Sequence, residues 1–151
     1  MKKEDFKKSF NIVAKSFGFE KEFGGWFKES TECIIVLDLQ KSNYNNLYYL
    51  NIKIYIQKMF GNNYAKSKDL VKKNIGDVFF RERGNSEVFN LDNSMTDTER
   101  LDQLNIFFYS INPLLNAALT KSGIKKLADE KSLTLLPAVE NELLLLLSKQ
   151  V

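Results

Sequence analysis

Residues 33 to 58 read CIIVLDLQKSNYNNLYYLNIKIYIQK, two alternating runs around a polar, Asn-rich break. In the first run Cys33, Ile35, Leu37 and Leu39 share one parity, and Ile34, Val36, Asp38 and Gln40 the other. In the second, Tyr48, Leu50, Ile52, Ile54 and Ile56 alternate with Tyr49, Asn51, Lys53, Tyr55 and Gln57. Successive side chains of a strand point to opposite faces. The pattern therefore predicts a hairpin with an aliphatic inner face and an outer face of amides, charges and tyrosines. The inner face must be covered; the outer face is expected to stand in solvent.

The flanking sequence supplies the cover. Phe6, Phe10, Val13 and Phe17 recur at spacings of four, three and four, one stripe of a helix over about residues 3 to 17. Gly18 suits the left-handed position after it, with Phe19 packing back. Gly24 and Gly25 mark a turn before a short strand carrying Trp26 and Phe27. Between Gly61 and Gly76 the pattern is irregular, with at most a short helix near Lys68 to Lys73. DVFFRERGNSEVFNL then reads as a second hairpin turning at Gly84-Asn85, with Phe79, Arg81 and Arg83 on one parity.

Helices follow. Thr96 and Glu99 have capping-box spacing, and Leu101, Leu104, Phe107, Phe108 and Ile111 form a buried stripe. Pro113 is expected to kink or end this helix, residues 114 to 120 to extend it by a turn or two, and Gly123 to stop it. A last helix starts near Pro137 and carries five consecutive leucines at 143 to 147. One helix, then antiparallel strands, then segregated helices is an α+β pattern: an N-terminal helix, a sheet of about five strands, and C-terminal helices packed on one sheet face. With 151 residues and no Gly/Ser-rich or Pro-rich linker, a single domain over residues 1–151 is expected.

Composition removes several kinds of chemistry. The chain has no histidine, which excludes Ser-His-Asp and Cys-His catalysis, imidazole acid/base work and His-ligated metals. Cys33 is the single cysteine, so an intramolecular disulfide and a thiolate zinc site are excluded as well. No glycine-rich phosphate loop occurs, and no cofactor or metal is expected. A formal charge of +3 is too small to imply a nucleic-acid or membrane partner by itself. The start, MKKEDFKKSFNIVAKSF, is amphipathic and lacks an apolar h-region, and the leucine run is far short of the roughly 18 residues that span a bilayer. The expected address is cytoplasmic, with no membrane partner.

The helix ending in Gly18-Phe19, LQKS at Leu39 to Ser42, the Tyr/Asn run through Tyr49 and Asn51, and the strand bearing Arg81 to Arg83 together resemble a bacterial family of unknown function, family 4304. The resemblance covers roughly residues 3 to 110, and no single motif in it is specific. It implies a small α+β protein and no particular mechanism. Its members often carry histidine before the position of Arg81, and this chain has none.

Three functions are open to the outer face. Asp38 and Gln40 share it with Asn51 and Lys53, and an Asp on one strand beside acidic-x-Lys on the next is how restriction-type nucleases arrange magnesium. Here Asn51 stands where the second carboxylate belongs, which degrades that reading. Tyr49, Tyr55 and Lys53, with Arg81 and Arg83, could stack bases and hold phosphates of a single strand. A protein partner fits best: tyrosines flanked by amides and cations make interface anchors and rims without a catalytic group. The expectation is a non-enzymatic protein-binding module, immunity- or antitoxin-like, using Gln40, Ser42, Tyr49, Asn51, Lys53, Tyr55, Arg81 and Arg83. The Leu-rich last helix is a further candidate surface, for a homo-oligomer.

Overall fold

The computed structural model describes residues 1–82 and 87–150. A first helix, α1 (Lys3–Ser16), precedes four strands, β1 (Glu20–Glu22), β2 (Gly25–Glu29), β3 (Cys33–Lys41) and β4 (Tyr48–Ile56). The short helix α2 (Lys68–Lys72) and strand β5 (Val78–Glu82) follow, then α3 (Asp97–Ala117), α4 (Lys121–Asp129) and α5 (Pro137–Ser148). The strands form one antiparallel sheet in chain order, a meander from β1 to β5. The expected α+β layout, with an N-terminal helix, five strands and C-terminal helices, is what the chain adopts.

The hairpin pairs in simple register, with Leu37 opposite Ile52, Asp38 opposite Asn51, Val36 opposite Lys53 and Gln40 opposite Tyr49. Parity in the sequence therefore translates directly into faces. Cys33, Ile35, Leu37, Leu50, Ile52 and Ile54 join one core with Phe6 and Phe10 of α1, Leu104 and Phe108 of α3, Ile124 of α4 and Leu143 of α5. Aromatic rings stitch the layers together: Phe10 meets Trp26 edge-on at 4.6 Å and Phe108 at 5.3 Å. Lys28 ties the end of α1 to α3, donating to the Phe17 carbonyl at 2.9 Å and to Asn116 Oδ1 at 2.7 Å.

Helix ends follow local chemistry. Thr96 and Glu99 form the expected capping box, each side chain accepting from the other residue's backbone N–H. Pro113, expected to kink or end α3, lies inside a helix that continues to Ala117. The carbonyl left without a donor four residues earlier belongs to Tyr109, which is 79% exposed and can turn to water. Gly123 is no helix stop. It lies in the first turn of α4, where its N–H caps on Thr120 Oγ1 at 3.0 Å. A Cβ here would collide with the Ala117 carbonyl, so the glycine permits a tight turn between α3 and α4.

Among the described residues the second expected hairpin does not form. β5 pairs with β4, but Glu87–Phe89 is a single 3-10 turn, with one isolated bridge between Asn90 and Leu47. Arg100 accounts for that return path: wholly buried, it donates Nη1 to the carbonyls of Val88 at 2.6 Å and Asn90 at 3.0 Å, and Nη2 to Asn93 Oδ1 at 2.7 Å. The expected turn at Gly84-Asn85 lies outside the described residues. In the leucine run, Leu143 is buried while Leu144 and Leu145 are exposed. Among the described residues no helix is long and apolar enough to cross a membrane.

Candidate functional site

The polar parity of the hairpin is not an open surface. α2, five residues long and capped by Ser67, seats Leu70 and Val71 against Phe27, Ile34, Val36 and Tyr55 in a second, smaller core. Gly25 makes this possible. A Cβ at Gly25 would stand 2.9 Å from both Val71 methyls and 3.0 Å from the Leu37 carbonyl, so the helix occupies the space a side chain would take.

The structure corrects the expected solvent exposure of three residues, two of which lie under this lid. Tyr55 is 1% exposed, donating its hydroxyl to the Leu70 carbonyl at 2.7 Å and meeting Tyr64 edge-on at 5.0 Å. Burial raises its pKa, with the neighbouring Tyr64 and Asp77 adding to the effect. Lys53, 5% exposed, donates to the Val71 carbonyl at 2.6 Å, and Asp38 lies 4.0 Å away. Desolvation lowers the Lys53 pKa, opposed by Asp38. Asn51 is 4% exposed. The alternation assigned these side chains to the right face; what it could not carry was a cover for that face. Ser42 is also turned inward, its Oγ accepting from the N–H groups of Tyr44 and Asn45, and so shapes the turn between β3 and β4.

Beyond the end of α2 the same face opens, and a hydrogen-bonded network crosses three strands. Lys72 Nζ lies 3.3 Å from Asp38 Oδ1. Asn51 Nδ2 donates to Asp38 Oδ2 at 3.4 Å and to Gln40 Oε1 at 2.9 Å. Arg81 donates Nε to Asn51 Oδ1 and Nη2 to Gln40 Oε1, both at 2.9 Å. Its guanidinium carbon stands 4.7 Å from the centroid of the Tyr49 ring. The register explains the meeting: Gln40 pairs with Tyr49, and Asn51 is paired with Asp38 on one side and Arg81 on the other. Gln40, Tyr49, Asn51 and Arg81 are thus brought together; Lys53 and Tyr55 sit under the lid, and Arg83 lies outside the described residues.

A family described as a domain of unknown function, DUF4304, matches residues 10–117. The chain belongs to the DUF4304 family. The match runs from within α1 to the end of α3, so it takes in the whole sheet, α2 and every residue of the network, while α4 and α5 lie beyond it. No curated protein and no solved structure matches the chain.

Two residues of this DUF4304 network, Asp38 and Lys72, were not among the residues expected to bind. Asp38 shares the parity of Gln40 and was legible. Lys72 gave no signal, because its segment reads as irregular, with at most a short helix near Lys68 to Lys73. Chemically, Asp38 is surrounded by Lys53, Lys72 and Asn51, and among the described residues no three His, Cys, Asp or Glu side chains gather where they could hold a metal ion. The open end of the face combines an aromatic ring, a planar cation and two amides, partly exposed and mutually fixed.

Proposed function

We propose that the chain is a non-enzymatic protein-binding module whose contact surface is the open end of the second sheet face, formed by Gln40, Tyr49 and Arg81 with Lys72 at its border. The observation that carries this reading is the stack of Arg81 on Tyr49 at 4.7 Å, locked by two 2.9 Å bonds to Asn51 and Gln40. Arginine and tyrosine are the residue types most enriched at the energetic centres of interfaces. A side chain already held in one rotamer has less entropy to lose on binding. The half-exposed Phe79, 40% accessible, extends the surface along β5. An immunity- or antitoxin-like role is the form of protein binding that suits a small chain with this inventory, by analogy at the level of fold.

The test is affinity capture from the organism that encodes the chain, and capture of the purified product of the adjacent gene. Wild type is compared with a Tyr49→Ala/Arg81→Ala double variant, checked for an unchanged circular dichroism spectrum. A protein retained by the wild type and lost by the variant is the expected result. Equal retention by both places the contact elsewhere.

A further inference from the structure

The network over the open face has a fixed polarity. Asp38 at one end can only accept hydrogen bonds as a carboxylate, and Arg81 at the other can only donate. The two amides between them then have one compatible orientation. Asn51 turns Nδ2 to Asp38 and Gln40, and Oδ1 to Arg81. Gln40 turns Oε1 inward, where it accepts from both Asn51 and Arg81. The acceptors are consumed inside the network. What remains for a ligand is Gln40 Nε2, Arg81 Nη1 and the Tyr49 hydroxyl, none of which has a hydrogen-bond partner among the described residues, and no described carboxylate forms an ion pair with Arg81.

We propose that this donor cluster receives a carboxylate from an acidic segment of a partner protein, seated on Arg81 beside Gln40 Nε2. The inference rests on the protein-binding reading above and names the chemistry recognised there. A guanidinium edge matches the two oxygens of one carboxylate in a planar, bidentate pair. A nucleic-acid backbone instead needs a row of cations in register with successive phosphates. Here Asp38 interrupts the cations between Lys72 and Arg81, and the whole chain carries only +3.

The test titrates N-acetylated hexaglutamate into the full chain at low salt, with hexaglutamine and hexathymidylate as comparison probes. Isothermal calorimetry and the Nε–Hε resonance of Arg81 are followed. Two variants act on the site differently: Arg81→Gln removes the cation, whereas Gln40→Glu keeps the inward acceptor and places an anion beside Arg81, so the internal bonds survive. Hexaglutamate binding should weaken at least about tenfold in both, and stay unchanged in Lys58→Gln, at the far end of β4. Binding that ignores both site variants overturns the inference, as does tighter binding of hexathymidylate through Arg81. If no probe binds, the carboxylate inference fails alone, provided a protein captured by the wild type is still lost with Tyr49→Ala. Capture indifferent to Tyr49→Ala overturns the protein-binding reading itself.

Discussion

The Lys53 ammonium lies 2.6 Å from the carbonyl oxygen of Val71, closer than the 4.0 Å that separates it from Asp38. Lys53 is thus a strut between β4 and the lid helix α2 before it is an ion-pair partner. Its hydrogen bond satisfies a buried carbonyl at the end of a helix too short to stand alone.

Replacing Lys53 by Met keeps the length and apolar body of the side chain while removing the donor. The Val71 carbonyl is then orphaned, and Asp38 is left with Lys72 and Asn51. A loss of about 1–3 kcal/mol is expected in urea unfolding. Tryptic cleavage at the lysines between 66 and 73 should accelerate. An unchanged midpoint together with an unchanged cleavage rate would show that α2 is held by Leu70 and Val71 alone.

Gly25→Ala tests the same lid from the other side. The added methyl stands 2.9 Å from Val71 and 3.0 Å from the Leu37 carbonyl, so α2 must shift. Overpacking of this kind costs roughly 1–3 kcal/mol. Val71→Ala combined with Gly25→Ala should recover part of that loss, because one of the two clashes is with the Val71 side chain. Losses that simply add in the double variant would mean the Leu37 carbonyl is the sole obstacle.

The faces of the hairpin were legible because a period of two leaves no freedom once the register is simple: Leu37 and Ile52 fall on one side, Asp38 and Asn51 on the other. The capping box at Thr96 was legible for the same reason, being a rule of local geometry. The burial of Lys53 and Tyr55 was not. It depends on α2, whose only inward residues are Leu70 and Val71, and on the notch at Gly25. Two apolar residues make no periodic signal, and Gly25 beside Gly24 reads as a turn. Gly123 misled in the same way, since close approach of two helix ends and helix termination both select glycine, and the sequence alone does not distinguish them.

Arg100 holds the return path after β5 through bonds to the carbonyls of Val88 and Asn90 and to Asn93. Desolvation lowers its pKa, partly offset by Asp97. Arg100→Met should cost about 1–3 kcal/mol, because removing the donor leaves the buried Val88 carbonyl unpaired, while the half-buried Asn90 and Asn93 acceptors can turn to water. Arg100→Lys, with a single nitrogen in place of the fork, is expected to restore less than half of it. The check is chemical denaturation of the two variants against wild type. Equal stability of all three would mean that water satisfies those carbonyls as well as the guanidinium does.

Asp77 anchors the segment after α2 to the end of β4: Oδ2 accepts from the Ile56 N–H at 2.8 Å and Oδ1 from the Tyr64 hydroxyl at 3.1 Å. It lines an open cleft of about 460 Å³ with Tyr64, Lys73 and Asn74. Burial raises its pKa, although both hydrogen bonds pull the other way. Tyr64, pushed up to about 12 by burial and by Asp77, stays a donor throughout the acidic range. A carboxyl with a raised folded pKa holds its proton more tightly in the folded chain than in the unfolded one. Its favourable contribution is therefore full below the ordinary carboxylate pKa and is lost as pH rises through the raised value. Asp77→Asn has no proton to release. The unfolding free energy of wild type minus that of Asp77→Asn should accordingly fall as pH rises from below the ordinary carboxylate pKa through the raised one. A difference that rises over this interval would mean that the bonds from Ile56 and Tyr64 outweigh burial and that the ionised carboxylate is the form the fold prefers.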